Sequence, residues 1–328
     1  MIMRAAKSHR PRNRPKWAWG CLFGSLLWAA SVPAAAAKVE EVVAGLQHPW
    51  AVAFIGDGRM LVTERPGRIR VVEANGQLGK PLEGLPKIAP ARGHAGLLDL
   101  IVDRDFASNR QLYFCFAEPG PGGSSTAMVR ARLSADLRML EGVKVIFSQR
   151  PKVQSDHHFG CRIVQAADGH LFLALGERED FMDDAQTLDN HHGKVVRVST
   201  TGAAPAGNPF AGKPGALPET WSYGHRNIQG AALSPTGALW VAEHGPLGGD
   251  ELNLVTPGKN YGWPVITHGK DYEGRTIGKG QTQADGMEQP VKHWSSIAPS
   301  GLAFVTSDRL FPSWRGSALV GSLRGALL

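Results

Sequence analysis

Cysteine and charge are both scarce in this sequence of 328 residues. Its three cysteines are Cys21, Cys115 and Cys161, and no Cys/His set has the spacing of a structural zinc site. Charged residues make up 20% of the chain and hydrophobic residues 42%, and the 40 glycines follow no three-residue period. These values exclude intrinsic disorder and a collagen-like structure, so we expect a packed protein.

An excess of basic residues is confined to the N-terminus. The formal net charge is +7, but six of the 36 Lys and Arg residues lie in residues 1–37, which contain no acid. The remaining 30 bases nearly balance the 29 acids. Because the rest of the chain is almost neutral, we expect no nucleic-acid partner.

The N-terminal stretch has the pattern of a secretory signal peptide over residues 1–37. A basic region precedes an apolar run, Trp17–Ala30, and a small-residue tail that ends at Ala37. The run is shorter than the roughly 20 apolar residues that span a bilayer. We therefore expect a periplasmic or secreted protein without stable membrane insertion after signal removal. Cys115 and Cys161 would then remain, either as a disulfide or as two buried thiols.

Short strands and tight turns dominate residues 38–328, and long amphipathic helical patterns are scarce. Three segments share the pattern of apolar strand, Asp-Gly or Thr-Gly turn, and apolar strand: Ala51–Glu64, Arg162–Leu175 and Ala231–Glu243. The first two are followed by a further strand, at Arg68–Gly76 and Lys194–Gly202. Each segment predicts a β-hairpin whose turn glycine adopts a positive φ.

Repeated hairpins with an added outer strand are typical of the blades of a β-propeller. Dividing residues 38–328 by six gives about 48 residues per blade, which lies within the usual range. We therefore predict an all-β, six-bladed β-propeller as a single catalytic domain. A β-sandwich or a solenoid is the alternative fold.

Three polar clusters lie between the predicted strands, where propeller loops converge at one mouth of the channel. The first is Asp156–Arg162, which contains His157 and His158. A histidine there suits a general base because imidazole titrates near neutrality. Adjacent side chains on an extended chain point in opposite directions, so a zinc site that uses both histidines is disfavoured. A solvated loop histidine is the alternative interpretation.

The second cluster is Tyr223–Gly230, which contains His225, Arg226 and Asn227. Guanidinium and amide groups donate hydrogen bonds in fixed directions, so this loop suits an oxyanion, a carboxylate or a quinone oxygen. A structural role, in which Arg226 ties loop carbonyls together, is the alternative.

The third cluster joins Glu243–Asn253 to Gly258–Pro264. Its carboxylates and glycines allow side-chain and backbone oxygens to turn inward, which is the coordination that Ca²⁺ prefers. The spacing is not that of an EF-hand.

With these clusters in place, the sequence resembles the soluble pyrroloquinoline-quinone (PQQ) dependent aldose sugar dehydrogenases of the glucose/sorbosone dehydrogenase family. The resemblance runs from about Leu46 to the end of the chain. Nine motifs in the family's order carry it: Pro49–Ala51, Leu61–Arg68, Gly96–Asp99, His158–Gly160, Gly176–Arg178, Gly224–Asn227, Glu243–Pro246, Asp250–Asn253 and Asn260–Pro264.

The resemblance implies a propeller that holds PQQ over its channel, with Ca²⁺ bridging cofactor and protein. His158 matches the base that takes the proton of the sugar hydroxyl, while hydride passes from the sugar to the quinone. Arg226 and Asn227 match the groups that hydrogen-bond the quinone oxygens. Arg324 matches, more loosely, a residue that meets a PQQ carboxylate.

The same resemblance implies two calcium sites. Gly245 and Pro246 match the residues whose backbone carbonyls bind the cofactor-bridging Ca²⁺, which acts as a Lewis acid. Asp250, Glu251 and Tyr261 lie where the family can bind a second, structural Ca²⁺. The expected partners are a small-molecule sugar and an external electron acceptor.

Two departures from the family pattern stand out. His94 replaces the usual glutamine before Gly96–Asp99, where it could still donate a hydrogen bond to the cofactor. The chain also ends at Leu328, before the stretch that completes the last blade in family members, so we expect an incomplete last blade or another closure.

The sequence thus predicts PQQ-dependent oxidation of the C1 hydroxyl of aldoses to lactones. The alternatives are a Ca²⁺-dependent lactone hydrolase and a non-catalytic carbohydrate-binding propeller. The dehydrogenase hypothesis requires His158 and Arg226 to lie at the same end of the molecule.

Overall fold

Strands account for nearly all of the secondary structure in the computed structural model, which describes residues 40–324. The described helices are one short α-helix, α1 (Phe106–Asn109), and two single-turn 3-10 helices, Met182–Gln186 and Pro312–Trp314. None of the helices in residues 40–324 is long and apolar enough to cross a membrane. The predicted signal peptide, residues 1–37, lies outside the described residues.

Within residues 40–324, the strands form four sheets of four antiparallel strands and one sheet of two, and each sheet takes its strands in chain order. The first sheet holds β1 (Pro49–Gly56), β2 (Arg59–Glu64), β3 (Arg68–Val72) and β4 (Leu78–Pro81). The second holds β5 (Leu97–Val102), β6 (Gln111–Gly120), β7 (Gly123–Leu133) and β8 (Leu140–Ser148). The third holds β9 (Gly160–Gln165), β10 (Leu171–Leu175), β11 (Lys194–Val198) and β12 (Thr220–Tyr223). The fourth holds β13 (Ile228–Leu233), β14 (Leu239–Glu243), β15 (Asp250–Val255) and β16 (Lys292–Trp294). The fifth holds β17 (Pro299–Phe304) and β18 (Ala318–Ser322).

Successive sheets pack through their first strands, as the blades of a propeller do. Strand β1 packs against β5, β5 against β9, β9 against β13, and β13 against β17. This arrangement explains why β10, which reads Leu-Phe-Leu-Ala-Leu, is buried along its whole length. A strand in the middle of a blade is covered on both faces, so it needs a continuous apolar run rather than alternation.

The three predicted hairpins are confirmed. They form the pairs β1–β2, β9–β10 and β13–β14, and the predicted following strands are β3 and β11. In the three turns Gly58, Gly169 and Gly237 have φ values of 73°, 84° and 82°. These positive values are costly for other residues, which is why glycine follows Asp or Thr at each turn.

The prediction of six blades is wrong. The described residues form four four-stranded blades, followed by the two-stranded sheet of β17 and β18. The error arises from dividing the chain into equal parts, because the blades differ greatly in length. Two long connections, residues 199–219 before β12 and residues 256–291 before β16, together use more residues than one further blade of about 48 would need.

The apolar core between the second and third sheets contains Cys115 and Cys161, the two cysteines within residues 40–324. Cys115 in β6 and Cys161 in β9 form a disulfide, and both side chains are completely buried. They lie in one cluster with Met128, Phe159 and Leu173. The bond therefore joins two neighbouring blades across their packed faces.

One end of the molecule collects the loops that precede the first strand and follow the second strand of each sheet. We call this end the rim. Backbone hydrogen bonds link its parts: Leu97 N donates to Arg65 O over 3.0 Å, and Glu177 N donates to Arg226 O over 2.9 Å. Because all predicted catalytic and cofactor-binding residues lie in such loops, the topology places them at this rim.

Candidate active site

A cavity of about 300 Å³ opens at the rim, where the first strands of the sheets begin. None of its lining side chains is acidic, whereas two are arginines and two are histidines. The lining residues are Pro49, Trp50, Arg65, His94, Gly160, Arg162, Asn227, Gln229, His244, Ser300 and Leu323. A concave site of this size and donor content suits a small anionic or carbonyl-rich ligand.

Arg162 extends from β9 into this cavity. Its guanidinium lies 4.0 Å from the centre of the Trp50 ring, and it forms a 3.2 Å ion pair with Asp99. Its Nε donates to Gln229 O over 2.6 Å. These contacts hold a cation and an aromatic face at the wall of the cavity.

His158 lies two residues before β9 and its side chain is buried. Its Nδ1 lies 2.7 Å from Oε2 of Glu177, a buried residue that follows β10 by two positions. A carboxylate only accepts hydrogen bonds, so Nδ1 carries a proton, and in the neutral form of the ring Nε2 presents a lone pair. This is the arrangement of a general base that is oriented by a carboxylate.

His157 takes a different direction from His158, as the sequence predicts. Its Nε2 lies 3.8 Å from Oε2 of Glu179, and the rings of the two histidines are nearly perpendicular. Within residues 40–324, no three His, Cys, Asp or Glu side chains lie close enough together to form a metal centre.

Arg178 supports the loop that carries His158. The side chain is completely buried and its guanidinium lies 3.7 Å from the centre of the Phe159 ring. Its Nε donates to His157 O over 2.9 Å, its Nη1 to Ser124 O over 2.6 Å, and its Nη2 to Ser155 O. One guanidinium thus satisfies three loop carbonyls, which fixes the path of the chain into His158.

His94 contacts the same loop from the opposite side. Its ring is nearly parallel to that of His158, with centroids 5.7 Å apart, and its Nδ1 accepts the backbone N–H of His158 over 3.1 Å. Packing against protein atoms, followed by the neighbouring His158, His157, His244 and Arg65, lowers the pKa of His94 to about 4. The ring is therefore neutral at physiological pH.

Arg226 and Asn227 lie between β12 and β13, directly beside Glu177. Nη1 of Arg226 donates to the carbonyls of Gly245 over 2.7 Å and His244 over 3.2 Å. The Nε of Arg226 is buried and has no hydrogen-bond partner among the described residues. Oδ1 of Asn227 accepts Gly160 N–H over 3.2 Å. His158 and Arg226 thus lie at the same rim, as the dehydrogenase hypothesis requires.

A second cavity, of about 10 Å³, lies behind Arg226 and is lined by Glu243, Gly245, Glu251 and Tyr261 among others. Its volume matches about one water-sized sphere. Burial, followed by the charge of Glu243, raises the pKa of Glu251 to about 8. Asn253 Nδ2 donates to both carboxylates, over 2.9 Å to Glu243 and 3.1 Å to Glu251, and its Oδ1 lacks a partner among the described residues.

The other residues of the predicted calcium sites serve the loop itself. Asp250 accepts three backbone N–H groups, from Gly245 over 2.8 Å, Ile297 over 2.7 Å and Ala298 over 2.8 Å. Tyr261 OH donates to Leu254 O over 2.6 Å. Pro246 is buried in the same loop.

Arg324 lies at the rim but outside the lining of the large cavity, which its neighbour Leu323 reaches instead. Its side chain is exposed, and its backbone N–H donates to Ile297 O over 3.1 Å. The structure therefore does not bring this predicted cofactor-binding residue to the wall of either cavity.

Sequence reasoning assigned no role to several residues of this site. Glu177 and Arg178 appear in a recognised motif, but the partner of His158 lies 19 positions away, and no local pattern announces the pair. His244 lines the large cavity, and its Nε2 lies 2.7 Å from Pro299 O. The available signal was their position, because each lies within three residues after a predicted apolar strand that ends at the rim.

Known proteins share the sequence and the fold of this chain. Residues 46–328 match the sequence model of the family described as Glucose / Sorbosone dehydrogenase. The aldose sugar dehydrogenase YliI of Escherichia coli is 44% identical over 310 residues, which cover 93% of this chain and 81% of that protein.

Two solved structures extend the comparison. The apo form of the soluble aldose sugar dehydrogenase of Escherichia coli superposes with a TM-score of 0.82 at 44% identity, covering 85% of this chain and 81% of that one. The PQQ-bound aldose sugar dehydrogenase of Streptomyces coelicolor superposes with a TM-score of 0.70 at 30% identity, covering 88% and 78%. The chain belongs to the glucose/sorbosone dehydrogenase family of sugar oxidoreductases.

Proposed function

We propose that this enzyme uses PQQ to oxidise the C1 hydroxyl of an aldose to the lactone. The observation that carries the proposal is the buried His158–Glu177 pair beside Arg226. The neighbouring residues Gly160 and Asn227 line a cavity that has donors and no acidic side chain at its wall. The Streptomyces coelicolor relative is a PQQ-bound aldose sugar dehydrogenase, which supports the same cofactor and substrate class here.

The residues present fit a carboxylated quinone. The large cavity has two guanidinium groups, two imidazoles and the Trp50 ring at its wall, and none of its lining side chains is an acid that would repel a polyanion. The buried Nε of Arg226 has no partner among the described residues, and an acceptor oxygen of the ligand would satisfy it. We place the quinone oxygens against Arg226 and Asn227. Arg324, which is exposed at the rim, would meet a cofactor carboxylate from outside.

Each residue then has a defined task. When bound, PQQ supplies the two-electron acceptor that takes hydride from C1 of the sugar. His158 Nε2 takes the proton from the C1 hydroxyl, and Glu177 holds Nδ1–H so that the imidazolium is stabilised as it forms. Arg226 donates hydrogen bonds where negative charge develops. The positions of these groups, rather than any covalent chemistry of the protein, would set the rate.

We also propose calcium as the metal. The carbonyls of His244 and Gly245 converge on the guanidinium of Arg226, so they point to a position where a cation is stabilised. The small cavity with Glu243 and Glu251 fits a single ion without further space. The backbone carbonyls of Gly245 and Pro246 would hold one Ca²⁺ ion, which would act as a Lewis acid toward the cofactor. Glu251, Tyr261 and the Asp250-supported loop would hold the second ion.

Residues 1–37 complete the proposal as a signal peptide, which would deliver residues 38–328 to the periplasm or the exterior. An exported enzyme that reduces its cofactor needs an external electron acceptor to complete the cycle. The disulfide between Cys115 and Cys161 agrees with an oxidising compartment.

The decisive experiment measures dye reduction by glucose after PQQ and Ca²⁺ are added to the purified protein. We expect His158→Ala to lower kcat by at least about 100-fold while PQQ binding, followed by fluorescence, is retained. The matched control is His157→Ala, which removes the neighbouring half-exposed imidazole and should leave turnover nearly unchanged. Near-normal dye reduction by His158→Ala would exclude His158 as the base. Lactone opening without PQQ would instead support a hydrolase.

A further inference from the structure

His94 and the loop before β9 are joined by two reciprocal hydrogen bonds. The backbone N–H of His94 donates to Asp156 O over 2.7 Å, and the backbone N–H of His158 donates to Nδ1 of His94 over 3.1 Å. The residue between the two contacts, His157, is held from the other side by Arg178. The backbone and the side chain of His94 therefore both hold residues 156–158, the segment that carries the proposed base.

The hydrogen bond from the backbone of His158 determines the tautomer of His94. A nitrogen that accepts an N–H bond cannot itself carry a proton, so the proton of the neutral ring lies on Nε2. The ring lines the large cavity. Its Nδ1 is engaged by the His158 backbone, so Nε2–H is the group that remains for a ligand.

The backbone of His158 needs this support. Its φ is +46°, in the left-handed region that residues other than glycine rarely adopt. Such a conformation persists only where surrounding contacts over-determine it. Glu177 orients the ring of His158, Arg178 holds the carbonyl of the preceding residue, and Nδ1 of His94 holds the N–H of His158 itself.

We propose that His94 is a positioning residue with two separable tasks. Its Nδ1 fixes the backbone of His158 and thereby aims the proposed base, and its Nε2–H donates to an oxygen of the bound cofactor. The inference rests on the proposed function for its kinetic consequences, but the tautomer and the backbone contact belong to the protein without ligand.

Two substitutions separate the tasks, because amide side chains of different length reproduce one ring nitrogen each. In His94→Asn, the Oδ1 occupies nearly the position of Nδ1 and keeps the acceptor for His158 N–H, while the distant donor is lost. In His94→Gln, the terminal amide reaches the position of Nε2 and keeps the donor, while the contact to His158 is lost. His94→Leu removes both.

We expect His94→Asn to keep kcat within about threefold and to weaken PQQ binding about tenfold, the effect of one lost hydrogen bond to a ligand. His94→Gln should retain the Kd for PQQ and lower kcat by about 10- to 100-fold, since the base is no longer aimed. His94→Leu should show both losses. His170→Asn, in the turn between β9 and β10, is the matched control and should change neither quantity. Thermal unfolding of each variant verifies that it is folded.

The tautomer provides a test that needs neither PQQ nor turnover. Nitrogen-15 NMR of the histidine side chains in the ligand-free wild type should show His94 protonated at Nε2 and unprotonated at Nδ1. A proton on Nδ1, or equal losses of kcat and PQQ affinity in His94→Asn and His94→Gln, would overturn the inference. Absence of dye reduction by the wild type with an Nε2–H tautomer would instead refute the proposed function alone.

Discussion

The disulfide between Cys115 and Cys161 gives the most quantitative prediction about stability. The bond joins β6 to β9 across a separation of 46 residues. For a closed loop of that length, the chain-entropy relation gives about 4 kcal/mol of stabilisation at 25 °C. The unfolding entropy is roughly 2 cal/mol/K per residue. Dividing the stabilisation by the total for residues 40–324 predicts a decrease in Tm of about 7 °C when the bond is removed.

The measurement compares the wild type with the double variant Cys115→Ala/Cys161→Ala, each with and without reductant. Urea and thermal unfolding report the free energy, and thiol titration of the denatured wild type should release two additional thiols on reduction. The double variant is its own control, because reductant should not change its unfolding. Any difference in the free energy of unfolding between the double variant and the reduced wild type measures the packing of the two buried sulfur atoms. These atoms lie in the core with Phe159 and Leu173.

The reasoning would be refuted in either of two ways. A difference below about 1 kcal/mol between oxidised and reduced wild type would mean that the cross-link barely restricts the unfolded chain. Failure of reduction to release two thiols would mean that the cysteines are not paired. Cys161 lies three residues after His158, so we also expect loss of the bond to lower kcat more than it lowers PQQ affinity.

Two further predictions concern calcium and pH. Ca²⁺ should raise the Tm of the wild type but not that of Glu251→Gln. The control is Asp285→Asn, which changes an exposed carboxylate and should keep the rise in Tm. An equal rise in both variants would exclude Glu251 as a ligand. Burial lowers the pKa of Lys194 to about 7 in the folded protein. Above that pH, Lys194 is protonated in the unfolded chain but not in the folded one, so the free energy of unfolding rises with pH. The unfolding free energy of the wild type should therefore increase relative to Lys194→Met between pH 7 and 9, by up to about 1.4 kcal/mol per pH unit, and a constant difference in urea titrations would contradict this.

Local patterns predicted the elements of the fold well but not their number. The hairpins β1–β2, β9–β10 and β13–β14 were predicted because strand periodicity and turn glycines act over a few residues. The number of blades depends on how much chain the connections use. Residues 199–219 and 256–291 are such connections. The first contains four glycines and four prolines, which is the composition of a loop, and the equal division of the chain took no account of it.

The candidate active site could also be predicted only in part from the sequence. Motif resemblance identified His158, Arg226 and Asn227, and the structure places them at one rim. It did not assign Glu177 as the partner of His158 or Arg178 as the support of its loop, because these contacts join segments about 20 residues apart. Nor did it specify that the oxygens of Asp250 accept backbone N–H groups.

The amino-acid sequence alone determined an all-β chain, the positions of its tight turns, and which chemical groups occur in its loops, since these follow from short-range periodicity and residue type. The tertiary structure decided how many blades form, that Cys115 pairs with Cys161, and which nitrogen of His94 carries the proton. These features depend on the packing of one sheet against the next. That packing brings together atoms that are distant in the chain, and their contacts leave no pattern within either segment.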